Sequence, residues 1–152
     1  MSLREAISAD YHLYRRWFER SLDVIWGLPP ELRAKADPMR EIERAESKSI
    51  SSAIKMLSSG IEDTISITER NSIGQLSIID IKLQSDGLPS LSFIKNLFSK
   101  EIKKILKLKF IESEEDYFSL KNLEDCDPPE KVKMLIRELC GSYELRTRQG
   151  VV

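Results

Sequence analysis

The feature that most constrains the fold is an apolar stripe near the amino terminus. Leu3, Ile7, Tyr11, Tyr14, Phe18, Leu22 and Ile25 recur at steps of three and four residues, the spacing that places side chains on one side of an α-helix. Ser2 followed by Glu5 has the form of a capping box at its start. Gly27 and then Pro29-Pro30 stop it, because glycine turns left-handed after a helix and proline has no N–H to continue one. The spacing predicts a helix over residues 3–26, with Leu13, Trp17 and Val24 widening its buried side. Such a one-sided helix is stable only when packed against other elements.

A short helical turn over 30–36 precedes Asp37-Pro38, which reads as an N-cap with proline at the first helical position. A second long helix is expected over 38–59, ending at Gly60 and carrying Met39, Ile42, Ala45, Ile50, Ala53, Ile54 and Leu57. Its many serines imply partial exposure or close packing through small side chains. The period then shortens. Thr64-Ile65-Ser66-Ile67-Thr68 alternates, and from Leu76 to Leu83 the residues Ile79, Ile81 and Leu83 share one side of an extended chain, which predicts a hairpin over 64–83.

A helix over 92–105 follows, with Ile94, Leu97, Phe98, Ile102 and Ile105 inside. Leu106, Leu108 and Phe110 alternate with Lys107 and Lys109, and Tyr117 to Leu120 returns after the acidic bend Glu112–Asp116 as a short hairpin over 106–120. Asp127-Pro128-Pro129-Glu130 opens a C-terminal helix over 128–141. The expected class is therefore α+β and helix-rich. The chain reads as a single domain, 1–152, with a helical layer 1–60 packed on a 61–143 α+β unit and a frayed tail 144–152.

At 152 residues, 32% charged and 41% apolar, the chain has the composition of an ordinary globular protein. No apolar run approaches the ~20 residues of a membrane span, and the opening residues lack the apolar core of a secretion signal. The two cysteines, Cys126 and Cys140, and the single histidine, His12, make neither a zinc or iron–sulfur ligand set nor a disulfide framework. These features point to a cytoplasmic protein with no metal and no cofactor. A net charge of −1 gives no global attraction to nucleic acid, so any such attraction has to be local.

Three local patterns carry chemistry. Asp80-Ile81-Lys82 on an expected strand would project both polar groups from one side, with Asp63 on the preceding strand and Glu46 on the helix before it. That order resembles the core of the PD-(D/E)xK nucleases, although the usual Pro-Asp dipeptide is missing. The resemblance implies acids holding a divalent metal and a lysine stabilising charge. The plainer reading is a cross-strand ion pair. Lys100, Lys103, Lys104 and Lys107 form a cationic face opposite an apolar stripe. Such like charges repel unless a phosphate backbone meets them, or unless a helix carboxyl end and the acidic bend neutralise them. His12, Arg16 and Arg20 align one turn apart beside Arg15 and Trp17, a pattern that suits phosphate contact, while Arg15–Glu19 and Arg20–Asp23 are also spaced for intrahelical pairs.

The opening tract Tyr11-His12-Leu13-Tyr14-Arg15-Arg16-Trp17-Phe18-Glu19, followed by Trp26-Gly27-Leu28-Pro29-Pro30 and Glu43-Arg44-Ala45-Glu46-Ser47-Lys48-Ser49-Ile50, resembles the small non-catalytic third subunit of archaeal primases. The resemblance covers about the first third of the chain and maps none of that family's functional residues onto it. It implies an accessory of primer synthesis in DNA replication, docked on a larger subunit and helping to hold nucleotide or template. The leading expectation is thus an accessory or adaptor that binds a protein partner and nucleic acid or nucleotide, with no catalysis of its own. A metal-dependent nuclease and a small partner-binding chaperone or regulatory domain are the rivals.

Overall fold

The computed structural model describes residues 3–97 and 99–148. Ser2, Phe98 and residues 149–152 of the expected tail lie outside the described residues. The elements run α1 (Leu3–Ala9), α2 (Tyr11–Val24), α3 (Pro30–Ala36), α4 (Met39–Lys48), α5 (Ile50–Ile67), a 3-10 turn (Thr68–Arg70), α6 (Ile73–Ser85), α7 (Leu91–Leu97), α8 (Lys100–Leu108), α9 (Glu114–Glu124) and α10 (Glu130–Arg148). Among the described residues every regular element is helical, so the expected α+β class is corrected to all-α.

Each expected strand is replaced for a physical reason. Residues 64–67 extend α5, because Leu57, Ile61, Thr64 and Thr68 also stand at steps of three and four and all four are buried. Thr64 and Thr68 satisfy their hydroxyls along the helix, donating to Gly60 O and Ile65 O at 2.7 Å each. Residues 76–83 fall in α6, whose start is a complete capping box. Ser72 Oγ accepts from Gln75 N at 3.2 Å, and the Gln75 side chain accepts from Ser72 N at 2.8 Å. The acidic bend is the first turn of α9. There Ser113 caps Asp116 N, and Glu114, Glu115 and Asp116 oppose the positive end of the helix dipole. The short hairpin over 106–120 is accordingly the end of α8 and most of α9.

The long helices also differ from expectation in where they break. The helix expected over 3–26 divides at Asp10, and the one over 38–59 divides at Ser49. Ser49 is extended, at φ −171°, and caps α5 through Ser52 N at 3.0 Å. The helix over 92–105 divides at Ser99, which is extended and caps α8 through Ile102 N. Gly60 lies inside α5 rather than ending it, and α10 runs through Gly141 to Arg148, beyond the expected end at 141 and into the expected tail.

The chain forms two compact bodies, residues 3–91 and residues from 92 onward. In the first, α5 is the hub, packed by α1, α2 and α4, while α6 packs on α2. In the second, α9 packs on both α8 and α10. In the first body α5 approaches α2 closely at Gly60, where an added Cβ would stand 2.8 Å from Phe18 Cε1 and 2.9 Å from Cζ. Phe18 is buried, so its ring has little room to yield. Helix propensity alone favours Gly60→Ala by up to ~1 kcal/mol. The close approach reverses the sign, and a net loss of about 1–3 kcal/mol is expected. Urea denaturation of G60A checks this; a stabilised G60A would contradict it.

Candidate nucleic-acid interface

On α2 two of the cations expected to face an anion, Arg15 and Arg20, are brought against carboxylates of their own body. Arg15 reaches Glu46 on α4 through Nε at 2.9 Å and Nη2 at 3.2 Å, and the Tyr11 hydroxyl donates to the same carboxylate at 2.7 Å. The Arg15 hydrogen bonds hold the Glu46 carboxyl below its ordinary value. Burial, reinforced by the Glu46 bond, pushes the Tyr11 hydroxyl up to about 12. Arg20 Nε bonds Asp86 at 2.5 Å, with Asp23 3.6 Å from its Nη1. Arg33 bridges Asp23 at 3.5 Å and Asp37 at 3.4 Å.

Arg16, Arg20 and Arg33 line an open cleft of about 520 Å³ together with Glu19, Asp23, Asp86 and Leu88. Its charges balance, so an anion entering it would compete with carboxylates already in place. Arg16 is exposed and has no ion pair among the described residues. His12 is exposed and meets the Tyr11 ring edge-on at 5.8 Å. Trp17 is fully buried and donates Nε1–H to Pro89 O at 2.9 Å, so it serves the core and not a surface.

The Arg15–Glu46 pair makes a pH prediction with a definite sign. A carboxyl held below its unfolded value stabilises the fold above that unfolded value, ~4.3. The contribution is lost as pH falls through the lowered value in the fold. Glu46→Gln is therefore expected to cost about 1 kcal/mol at neutral pH, the pair being partly exposed. The gap in Tm between wild type and variant should close as pH drops below about 4. A gap that is constant from pH 7 to pH 3 would refute the assignment.

The lysine face on α8 is different. Ile102, Ile105 and Leu106 are buried, and Lys100, Lys103, Lys104 and Lys107 are exposed on the opposite side. Lys104 is held by Glu112 at 3.0 Å, a bond that raises its pKa. The extended cap residue Ser99 makes Lys100 the first residue of α8. It was expected near a helix carboxyl end, where the dipole favours cations; here it sits at the amino end, where the dipole opposes them. From 100 to 109 the chain sets Lys100, Lys103, Lys104, Lys107 and Lys109 against Glu101 alone.

The residues of the nuclease expectation are not assembled as that reading required. Asp80 and Lys82 stand on a helix, where a two-residue step points side chains to nearly opposite sides. Asp80 Oδ1 accepts from Leu91 N at 2.8 Å, fastening the start of α7. Asp63 is exposed on α5, and Glu46 is engaged by Arg15 and Tyr11. Among the described residues no group of three or more His, Cys, Asp or Glu is placed to hold a metal ion.

Comparison with family models, curated proteins and solved structures finds no match. Among the described residues no helix is long and apolar enough to cross a membrane. Of the two thiols, Cys140 is buried, and burial pushes it up to about 11, while Cys126 is half-buried and donates to Asn122 O. Sequence reasoning did not single out Asp86, which engages Arg20 from sixty-six positions away; Glu112, which engages Lys104, belongs to the acidic bend expected to offset the lysines. Sequence reasoning also passed over Phe110 and Tyr117, which alternation assigned to strands, Tyr143, just past the expected end of the last helix, and Arg146, in the expected tail.

Proposed function

We propose that the protein is a non-catalytic accessory subunit of a nucleic-acid-processing complex, and that the lysine face of α8 grips a phosphate backbone. The observation that carries this reading is the exposure of Lys100 and Lys107 on one side of α8, with Lys100 where the helix dipole disfavours a cation. Like charges gathered on one helix side cost stability, and a polyanion converts that cost into counterion release. The resemblance of the opening tract to the primase third subunit supports primer synthesis as the kind of complex, with a larger protein subunit as partner.

The double variant Lys100→Glu/Lys107→Glu tests this. At 50 mM salt its affinity for a nucleic-acid oligomer should fall about tenfold or more, and the salt slope should flatten by about one unit for each phosphate no longer neutralised. An acidic side chain at 100 suits the amino end of α8 while one at 107 opposes its carboxyl end, so the two dipole effects offset, Tm should hold, and weaker binding would not reflect a failure to fold. Wild-type protein that binds no nucleic acid at low salt would refute the proposal. The engaged arginines make the opposite prediction: charge removal at Arg20 should leave affinity unchanged.

A further inference from the structure

Four aromatic side chains of the second body, Phe110, Tyr143, Tyr117 and Phe118, form a row together with Arg146. Arg146 on α10 lays its guanidinium over the Phe110 ring, 3.9 Å from the centroid, and lies 5.7 Å from that of Tyr143. Tyr143 stacks on Tyr117 of α9 with centroids 5.0 Å apart and 28° between the planes. Tyr117 meets Phe118 edge-on at 5.5 Å. The interior of the row is tied down. Arg146 donates to Ile111 O at 3.2 Å, and the Tyr117 hydroxyl bonds Glu144, which pushes that hydroxyl up to about 12.

The ends of the row are open. Phe110 is 47% exposed and Phe118 54% exposed, although phenylalanine has no polar group to draw it toward water. Phe110 is held out by the turn that closes α8. Lys109 adopts the left-handed conformation, φ 54° and ψ 38°, which a side chain other than glycine adopts at a cost. That turn buries Ile111 and leaves Phe110 in solvent. The same short segment thus presents lysines along α8 and an aromatic ring at its end, and the guanidinium beneath that ring fixes its plane.

We propose that this row is a base-stacking platform, so that the polymer gripped by α8 is a single-stranded nucleic acid with bases stacked on Phe110 and Phe118. The proposal rests on the phosphate-grip reading of α8. Positive charge beside an open aromatic ring, as Arg146 stands beside Phe110, is the chemistry that holds single strands. Bases in a duplex are already stacked on one another and have no free face to offer.

The test compares oligothymidylate, a duplex of equal length, and inorganic polyphosphate, each at low salt. Wild-type protein should bind oligothymidylate more tightly than duplex. Phe110→Leu/Phe118→Leu should weaken oligothymidylate binding about fivefold to a hundredfold per base unstacked, with polyphosphate affinity unchanged. Phe110→Trp should retain the binding and show quenched emission on adding oligothymidylate. If the double leucine variant binds oligothymidylate as wild type does, stacking is overturned while the phosphate grip stands, provided K100E/K107E still weakens it. If the leucine variant loses both polymers equally, stacking is again overturned. If wild type binds neither polymer, both proposals fall.

Discussion

Leu83→Ala is expected to destabilise the protein by about 2–5 kcal/mol, while Ile81→Ala, two residues earlier, should change stability by less than about 0.5 kcal/mol. Leu83 is fully buried and Ile81 is 66% exposed. Truncating Leu83 forfeits its transfer from water and leaves a cavity where α6 packs on α2. Truncating Ile81 removes methyl groups already facing solvent, and alanine is the better helix former. The pair separates the two secondary structures that this stretch permits. A strand would place both residues on one side and make both costly. Chemical denaturation of the two variants decides it, and equal losses would contradict the helix.

Trp17→Ala is expected to cost about 3–5 kcal/mol, among the largest losses any single truncation here should produce. The indole is fully buried in α2 and its N–H is the donor to Pro89 O, seventy-two positions along the chain. Removal deletes a large apolar volume and strips a buried carbonyl of its donor. Trp17→Phe separates the two contributions. It keeps most of the ring, and should lose about 1–3 kcal/mol, chiefly through the unsatisfied carbonyl. Loss of less than about 1 kcal/mol in W17A would mean that Trp17 is not a core residue.

The helix-rich half of the fold was legible because α2, α8 and α10 carry one-sided apolar stripes. What misled was isoleucine. In α6 the residues Ile79, Ile81 and Leu83 step by two while Ile79 and Leu83 also step by four, and only packing distinguishes the periods: Ile79 and Leu83 are buried and Ile81 is exposed. The capping pair Ser72 and Gln75 was visible and would have decided for a helix. Helix breaks were less accessible. Asp10 and Ser49 are ordinary helix residues by pattern, and the divisions depend on how α1, α4 and α5 pack.

The candidate site divides similarly. The lysine face of α8 follows from spacing alone, since helix geometry sets it. The engagement of Arg15 by Glu46 and of Arg20 by Asp86 does not, because those partners lie thirty-one and sixty-six positions away. The row from Phe110 to Phe118 was hidden for another reason. Its members come from three separate segments, and only the packing of α9 against α10 lines them up.

Both indoles of the chain, Trp17 and Trp26, belong to residues 3–91. Emission from tryptophan therefore originates within residues 3–91 alone. A heating curve recorded by emission, overlaid on one recorded by far-ultraviolet dichroism, becomes a direct readout of cooperativity. Coincident midpoints mean the two bodies melt as one; separated midpoints rank them, with no label and no cut in the chain.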